Sequence, residues 1–546
     1  MEEKAEIVKG NIVDVLNSEI YPATVKTANG RIVDIIRENK PYKTYILPGF
    51  IDAHFHIESS MLVPSEFARI AVIHGTVATV SDPHEIANVL GIEGVRYIMD
   101  NAKQVPVKFY FGAPSCVPAS DFETSGAVIG PDQVEELLRM DGIKYLSEVM
   151  NFPGLIHGYP DIMRKIDLAK KYSKVIDGHS PGLKGEDLRI YVKAGISTDH
   201  ECFQRDEALE KLLLGMNIQI REGSAAKNFD ELIPLVDEHY ERCMFCSDDK
   251  HPDELLEGHI NDLVKRALAY GIDVMKVLRV ACVNPVLHYK LDIGLLRVGD
   301  SADFIVVDDN LEDFHVLKTY INGEIVSAEG KPLISAKPPK IVNNFHIEKK
   351  RVDDFRLLSR KGKINIIEAI DGQIITDKSV TNPHRENGNV VSDVERDVLK
   401  IALVNRYKEA TVAIGFVKNY GLKKGALASS IANDSHNIIA VGVTDDDICR
   451  AVNLIIENKG GISVVSREKE MILPLPVAGL MSNEDYSSVT EKYAAIDKMA
   501  KDLGSTLHAP FMTLSFMALV VIPKLKLSDK GLFDGEKFQF IDIFET

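Results

Sequence analysis

Between Phe50 and Pro285 apolar runs of strand length recur eight times, alternating with stretches of helical spacing. The runs are Gly49–His54, Thr76–Asp82, Lys108–Ala113, Ile143–Glu148, Lys174–His179, Gly195–His200, Asn217–Glu222 and Cys243–Asp248. Segments such as Pro64–Ile73, Gln133–Met140 and Glu254–Tyr270 carry the helical spacing. Strands separated by helices pair in parallel, because a parallel neighbour needs a crossover long enough to hold a helix. Eight such repeats predict an α/β chain whose residues 48–289 close into a (β/α)8 TIM-type barrel.

The flanks read differently. Ile7–Val13, Thr24–Lys26 and Ile32–Ile36 are β-rich, with Asn29-Gly30 as a hairpin signal, yet residues 1–47 are too few for a core of their own. Beyond the barrel, Gly294–Ala328 is again strand-like; Phe304–Val307 and Tyr320–Val326 accompany a second hairpin signal, Asn322-Gly323. The expectation is one small β-sandwich domain built from both flanks, residues 1–47 and 290–336. Lys337-Pro338-Pro339-Lys340 punctuates the chain, and residues 340–546 read as a C-terminal α+β domain. Its expected strands are Thr411–Phe416, Ile438–Val443 and Gly461–Val465; its expected helices are Val394–Tyr407, Asp445–Glu457 and Ser487–Leu503.

Composition narrows the function classes. Apolar residues at 45% and charged residues at 27% are ordinary for a globular chain and exclude wholesale disorder. With 64 Lys and Arg against 81 Asp and Glu the net charge is −17, which argues against a partner that is nucleic acid. Six cysteines are too sparse for a disulfide scaffold. Met1-Glu2-Glu3-Lys4 lacks the basic-then-apolar pattern of a signal peptide, and the apolar stretch around Phe516–Ile522 is far shorter than the roughly 20 residues of a membrane span. A cytoplasmic location with no membrane partner is the expectation.

The chemistry sits where strands end, since a barrel carries its active site at the C-terminal mouth of its strands. The first run ends in His54-Phe55-His56, the fourth in Glu148, the fifth in His179, the sixth in His200 and the eighth in Asp248. Histidines at i and i+2 leave a strand on the same side and can grip one ion. Imidazole and carboxylate suit borderline divalent metals, and a carboxylate between two ions can bridge them. Taken singly, each residue has a plainer reading: His179 and His200 as buried hydrogen-bonded histidines, Glu148 and Asp248 as loop residues. Five strand ends carrying ligand-type residues favour the metal reading. Asp82, His84 and Glu85, beyond the second run, admit three readings: a proton shuttle or substrate contact, a further metal site, or a turn and helix cap. Arg221 and Glu222 end the seventh run as substrate contacts or as a mutual ion pair, with the pair preferred. Cys243 and Cys246 read as core, and Cys202 is not needed as a ligand.

These residues carry a family resemblance. Leu47-Pro48-Gly49-Phe50-Ile51-Asp52-Ala53-His54-Phe55-His56 resembles the opening signature of the amidohydrolase superfamily, and Gly294 to Phe304 resembles its closing signature. Within it, Ile57-Glu58-Ser59-Ser60-Met61, Ser81 to Val89, Asp177 to Gly182, Asp199-His200-Glu201 and Ser247-Asp248-Asp249-Lys250 are similar to stretches of the adenine deaminases. So are Asn433-Asp434-Ser435-His436-Asn437 and His508-Ala509-Pro510-Phe511-Met512 near the C-terminus. The chain lacks the His-x-Glu with Pro-Cys-x-x-Cys of the cytidine-deaminase class.

The resemblance implies hydrolysis of adenine to hypoxanthine and ammonia in purine salvage, at a binuclear divalent-metal centre. His54, His56 and Asp248 would hold one metal and His179 and His200 the other, with Glu148 bridging where many relatives use a carboxylated lysine. Asp248 is chosen over Asp249 by strand-end placement. Mn2+ is implied, while Fe2+ or Zn2+ also suit the donors. Asp248 would take a proton from water and Glu85 would shuttle it; Asp82, His84, Ser115 and Arg221 are the candidate substrate contacts. A homodimer is expected. His436 and His508 read as structural histidines, or else as part of a loop that closes the barrel mouth. The alternatives are an amidohydrolase acting on a cyclic amide, as dihydroorotases and hydantoinases do, or a non-catalytic scaffold.

Overall fold

In the computed structural model, which describes residues 6–308 and 314–545, all eight runs form parallel strands. Met1–Lys4, read above for a signal pattern, lie outside the described residues. The barrel strands are β1 (Phe50–Phe55), β2 (Thr76–Ser81), β3 (Lys108–Ala113), β4 (Ile143–Val149), β5 (Val175–Gly178), β6 (Thr198–Asp199), β7 (Asn217–Arg221) and β8 (Cys243–Cys246). Strands β1 to β5 pair in order as one sheet and β6 to β8 as another. At one seam Phe55 bridges Asp248, whose N–H donates to the His54 carbonyl at 2.9 Å while its carbonyl accepts from the His56 N–H at 3.1 Å. At the other, the Ser197 N–H donates to the Ile176 carbonyl at 3.0 Å. The architecture is TIM-barrel-like.

One expected element splits. The stretch Glu254–Tyr270 forms two helices, Pro252–Glu257 and Ile260–Tyr270, broken at Gly258-His259. The break serves the barrel floor. His259 turns inward, with Nε2 2.8 Å from Asp52 Oδ2 and Nδ1 2.7 Å from Thr76 Oγ1. Asp52 Oδ1 also accepts from the Ser247 N–H at 3.1 Å, so one buried carboxylate ties β1 to the end of β8 beneath His54.

Both flanks join in one eight-stranded sheet. Its order is Lys331–Pro332, Glu324–Ala328, Val316–Ile321, Phe304–Val307, Tyr45–Pro48, Glu6–Asp14, Glu19–Ala28 and Arg31–Arg37. Where a sandwich of two sheets was expected, hydrogen bonding is continuous. The sheet curls until the Ile32 N–H donates to the Asp300 carbonyl at 2.9 Å. Alternation along the strands sorts the residues. Ile12, Ile46, Phe304 and Tyr320 fill the inner core, while Val13, Leu47, Ile305 and Ile321 pack with the barrel. Both hairpin turns have the two left-handed residues that two-residue hairpins demand: φ of 52° and 77° at Asn29-Gly30, 49° and 73° at Asn322-Gly323.

The C-terminal unit is built on a nine-stranded sheet with helices Asp445–Asn458, Tyr486–Asp502 and Pro510–Phe516. The expected helix Val394–Tyr407 is a correction. Val398–Val404 is a strand, buried on both faces and paired with Ala413–Lys418 and Ile438–Gly442. A continuous apolar run cannot be told from a buried helix by periodicity, and here the central sheet position decides. This unit is fastened to the barrel mouth. The Ser482 N–H donates to the Met61 carbonyl at 2.8 Å, and the Tyr486 N–H to Glu66 Oε2 at 3.0 Å. Leu399, Ile401, Phe511 and Phe516 share one buried apolar cluster with Phe55, Met61 and Leu146 of the barrel. Among the described residues no helix is long and apolar enough to cross a membrane.

Candidate active site at the barrel mouth

The five strand ends meet. His54 lies on β1 and His56 just beyond it, Glu148 on β4, and His179, His200 and Asp248 follow β5, β6 and β8; all are buried. His54 Nε2 and His56 Nε2 stand 3.2 Å apart, as the i, i+2 spacing requires. Asp248 Oδ1 lies 3.1 Å from His56 Nε2 and 3.6 Å from His54 Nε2. Asp248 has φ of 54°, a left-handed turn that swings its carboxylate over the histidines. Asp249 lines the same cavity and accepts from the Ser59 hydroxyl.

Glu148 lies between the two histidine pairs. Its Oε1 is 3.3 Å from His56 Nε2 and 3.9 Å from His54 Nε2; its Oε2 is 2.7 Å from His179 Nδ1 and 3.2 Å from His200 Nε2. One oxygen faces each pair, as a bridging carboxylate would. The donor chemistry fits cations. His56 Nδ1 sits 3.1 Å from the Asp82 carbonyl, to which it donates, leaving the Nε2 lone pair free. Donor atoms from His54, His56, Glu148 and Asp248 converge here. His54, Glu148 and His200, and likewise His54, His56 and Asp248, each bring one ligand atom within ion-binding reach.

The electrostatics separate the carboxylates. Burial alone would raise Asp248, but the Arg221 guanidinium, 2.7 Å from Oδ2, and the histidines hold it well below the usual range. Burial is likewise overcome at Glu148 by His179 and His200, and its carboxyl lies well below its ordinary value. His179 is pushed up to about 9: burial opposes its charge, but Glu201 and Glu148 outweigh it. Arg221 forks onto Glu201, with Nη2 3.1 Å from Oε2, rather than onto its neighbour Glu222. The preferred Arg221–Glu222 pair is therefore corrected; Glu222 meets Arg266 at 2.8 Å.

His84 and Glu85 line the same cavity, and Asp82 contacts His56 of the cluster through its carbonyl. His84 Nδ1 is 3.3 Å from Asp82 Oδ2 and 3.4 Å from Glu148 Oε1, so this group adjoins the central cluster. Glu85 faces the C-terminal unit. Asn433 Nδ2 donates to its Oε1 at 2.8 Å, and His436 Nε2 lies against its Oε2. Burial raises Glu85 well above its ordinary value, partly countered by His84 and reinforced by Asp434. The cavity between the cluster and Glu85 is lined also by Met150, Ile374, Phe516 and Leu519.

Two sequence candidates stand apart. Ser115 does not face the cavity; its hydroxyl donates to the Glu148 carbonyl at 2.6 Å from behind, and it lines a neighbouring pocket. His508 is exposed and meets Glu254 at 2.9 Å, whereas His436 is buried at the site. Sequence reasoning missed Glu201, Asn433 and Asp434 as wall residues, although each adjoins a histidine or lies in a quoted motif. It also missed the apolar cover of Ile374, Phe516 and Leu519, which no polar signal marks.

Comparisons with known proteins place the chain in a family. Residues 45–326 match the amidohydrolase family and residues 373–539 the adenine deaminase C-terminal domain. The chain is 57% identical to the adenine deaminase of Sulfurovum sp. (strain NBC37-1), with 98% of this chain and 99% of that one covered. The chain belongs to the adenine deaminase family. Within that family it is 52% identical to the Methanosarcina mazei protein and 49% identical to that of Borreliella burgdorferi, each covering 98% of this chain and 99% of the relative. Among solved structures, a β-aspartyl dipeptidase from Fervidobacterium islandicum AW-1 aligns with 61% of this chain and 99% of its own at 14% identity and a TM-score of 0.46. Family membership makes the protein a hydrolase that acts on adenine and suggests a divalent metal, for which the barrel-mouth groups are candidate ligands.

Proposed function

We propose that the chain hydrolyses adenine to hypoxanthine and ammonia in the cavity between the histidine–carboxylate cluster and the C-terminal unit. The observation that carries this reading is the pair of opposed carboxylates across one cavity. Asp248 is held ionised, and Glu85 is held with a raised proton affinity. Deamination needs a base for water and an acid for the ring and amine, and unlike environments separate the two roles. The near-full-length match to adenine deaminases names the substrate.

His54, His56 and Asp248 would hold one ion, His179 and His200 the second, and Glu148 would bridge; Mn2+ is the favoured metal of this binuclear centre. Bound there, two cations supply the Lewis acidity that makes water a nucleophile near neutral pH. Asp248 Oδ1 takes the proton as the water oxygen attacks C6 of the purine. Arg221 fixes Asp248 through Oδ2 and leaves Oδ1 toward the histidines. Glu85 delivers a proton to N1, Asp248 passes the proton it took from water to the exocyclic amine, which leaves as ammonia, and the remaining hydroxyl proton goes to Glu85 as the C6 carbonyl forms. Asp82 and His84 adjoin this path. Ile374, Phe516 and Leu519 cover the cavity, exclude water and give the planar base an apolar surface. In this reading 48–289 is the catalytic barrel, 1–47 with 290–336 the β-domain, and 340–546 the cover. The enzyme works as a homodimer in cytoplasmic purine salvage.

The test is ammonia release from adenine by metal-stripped protein, with and without added Mn2+, with adenosine and a cyclic amide alongside. Metal-dependent release from adenine alone is expected. Ring opening of the cyclic amide with no release from adenine would move the function to another amidohydrolase reaction.

A further inference from the structure

Among the described residues of the C-terminal unit two lysines are buried, and their partners differ. Lys400 donates from Nζ to the Phe355 carbonyl at 3.0 Å and pairs with the Asp445 carboxylate. Lys526, on the strand Leu525–Ser528, is wholly buried and makes two hydrogen bonds, both to main-chain carbonyls: Ile374 at 2.6 Å and Phe516 at 3.0 Å. An ammonium buried without a counter-charge is costly, and a methionine of similar length would fill the same space without that cost. Packing therefore does not account for a lysine here.

The two carbonyls do account for it. The Ile374 and Phe516 side chains both line the cavity over Glu85 and the histidines. Phe516 also lines an adjoining small cavity, shared with Ser59, Asp249 and Asn433. The two residues come from segments far apart in sequence, a turn before Thr376 and the helix Pro510–Phe516, and Lys526 joins them. We propose that Lys526 is a positioning residue for the purine, clamping Ile374 and Phe516 so that the apolar cover holds the ring against the reacting centre. The inference rests on the adenine reading above. Burial pulls the Lys526 ammonium down to about 7, so the clamp works as a donor in either protonation state.

Steady-state kinetics of metal-loaded full-length variants test it. Lys526→Met is expected to raise KM for adenine about tenfold, with kcat within about twofold and metal content unchanged, because a loosened cover weakens binding without touching the reacting groups. Lys526→Gln keeps an N–H donor and recovers part of the loss. Adding Lys526→Met to Phe516→Ala leaves KM where Phe516→Ala alone puts it, since both act through one wall. Lys400→Met, a buried lysine away from the cavity, lowers stability and leaves KM unchanged. An unchanged KM in Lys526→Met, additive effects in the double variant, or an equal rise in Lys400→Met would overturn the proposal. Should Lys526→Met fail to fold, Phe516→Ala carries the test: an unchanged KM there would mean that the cover does not hold the ring. Wild-type protein inert toward adenine would sink the functional reading itself; active wild-type with unmoved variants would sink only the clamp.

Discussion

Glu148 and Glu85 are both glutamates, both buried, and face the same cavity, yet their proton affinities move in opposite directions. Glu148 stands among His54, His56, His179 and His200. Glu85 meets one such histidine, His84 at 3.7 Å, and otherwise the amide of Asn433, the neutral His436 and the acid Asp434. Burial penalises both charges; His179 and His200 outweigh it at Glu148, whereas Asp434 adds to it at Glu85. In the proposed mechanism the barrel face holds cations and a base, and the face closed by the C-terminal unit holds an acid.

The sharpest way to break the barrel face is to remove a ligand. His54→Ala should lower kcat/KM by roughly 10⁴-fold or more and release metal, with the fold retained by circular dichroism. Bound metal and near-normal turnover would remove His54 from the centre. On the opposite face, Glu85→Gln should lower kcat by about 10²- to 10⁴-fold while both metals stay bound, because it removes proton transfer and leaves the ligands. Full turnover would show that the acid lies elsewhere; metal loss would make Glu85 a ligand.

The same contrast explains what could be read in the sequence. The barrel face was legible because strand ends are local: each proposed ligand follows its own apolar run, and the fold brings the ends together without further information. The β-rich flanks were legible through their Asn-Gly turns. The opposite face is assembled from residues remote in sequence, such as Glu85 with Asn433 or Lys526 with Phe516, and no period or spacing records such a meeting. Val398–Val404 misled for a related reason. Its continuous apolar run suits a helix or a central strand, and only its partners decide. Arg221 was paired with Glu222 by adjacency, but successive strand residues point to opposite sides, which sends Arg221 to Asp248 and Glu222 to Arg266.

Arg221 sharpens the barrel side. It touches no histidine of the centre, but its guanidinium holds Asp248 ionised. Arg221→Met should weaken metal binding by about 10- to 100-fold, the usual effect of losing a group that orients a ligand, and excess Mn2+ should restore most of the turnover. Activity lost at saturating metal would place Arg221 on the substrate instead.

The smallest expected effect concerns the joint between the faces. His251, just beyond Asp248 in the chain, accepts from the Tyr493 hydroxyl of the C-terminal unit at 2.5 Å. Burial pulls its imidazole down to about 4, so it is neutral in the folded protein near pH 7. In the unfolded chain it titrates near 6.5. Between those values the unfolded state binds the extra proton, so acidification favours unfolding. The stability that neutral His251 permits is complete above about pH 6.5 and falls as the pH drops toward 4, by about 3 kcal/mol if the whole shift is realised. His251→Gln cannot take up that proton. Its denaturant midpoint should therefore fall less steeply than that of the wild type between pH 6.5 and 4.5, even if the substitution lowers stability at pH 7. Parallel pH profiles for the two proteins would mean that His251 is charged in the fold and that the joint is held by a different pair.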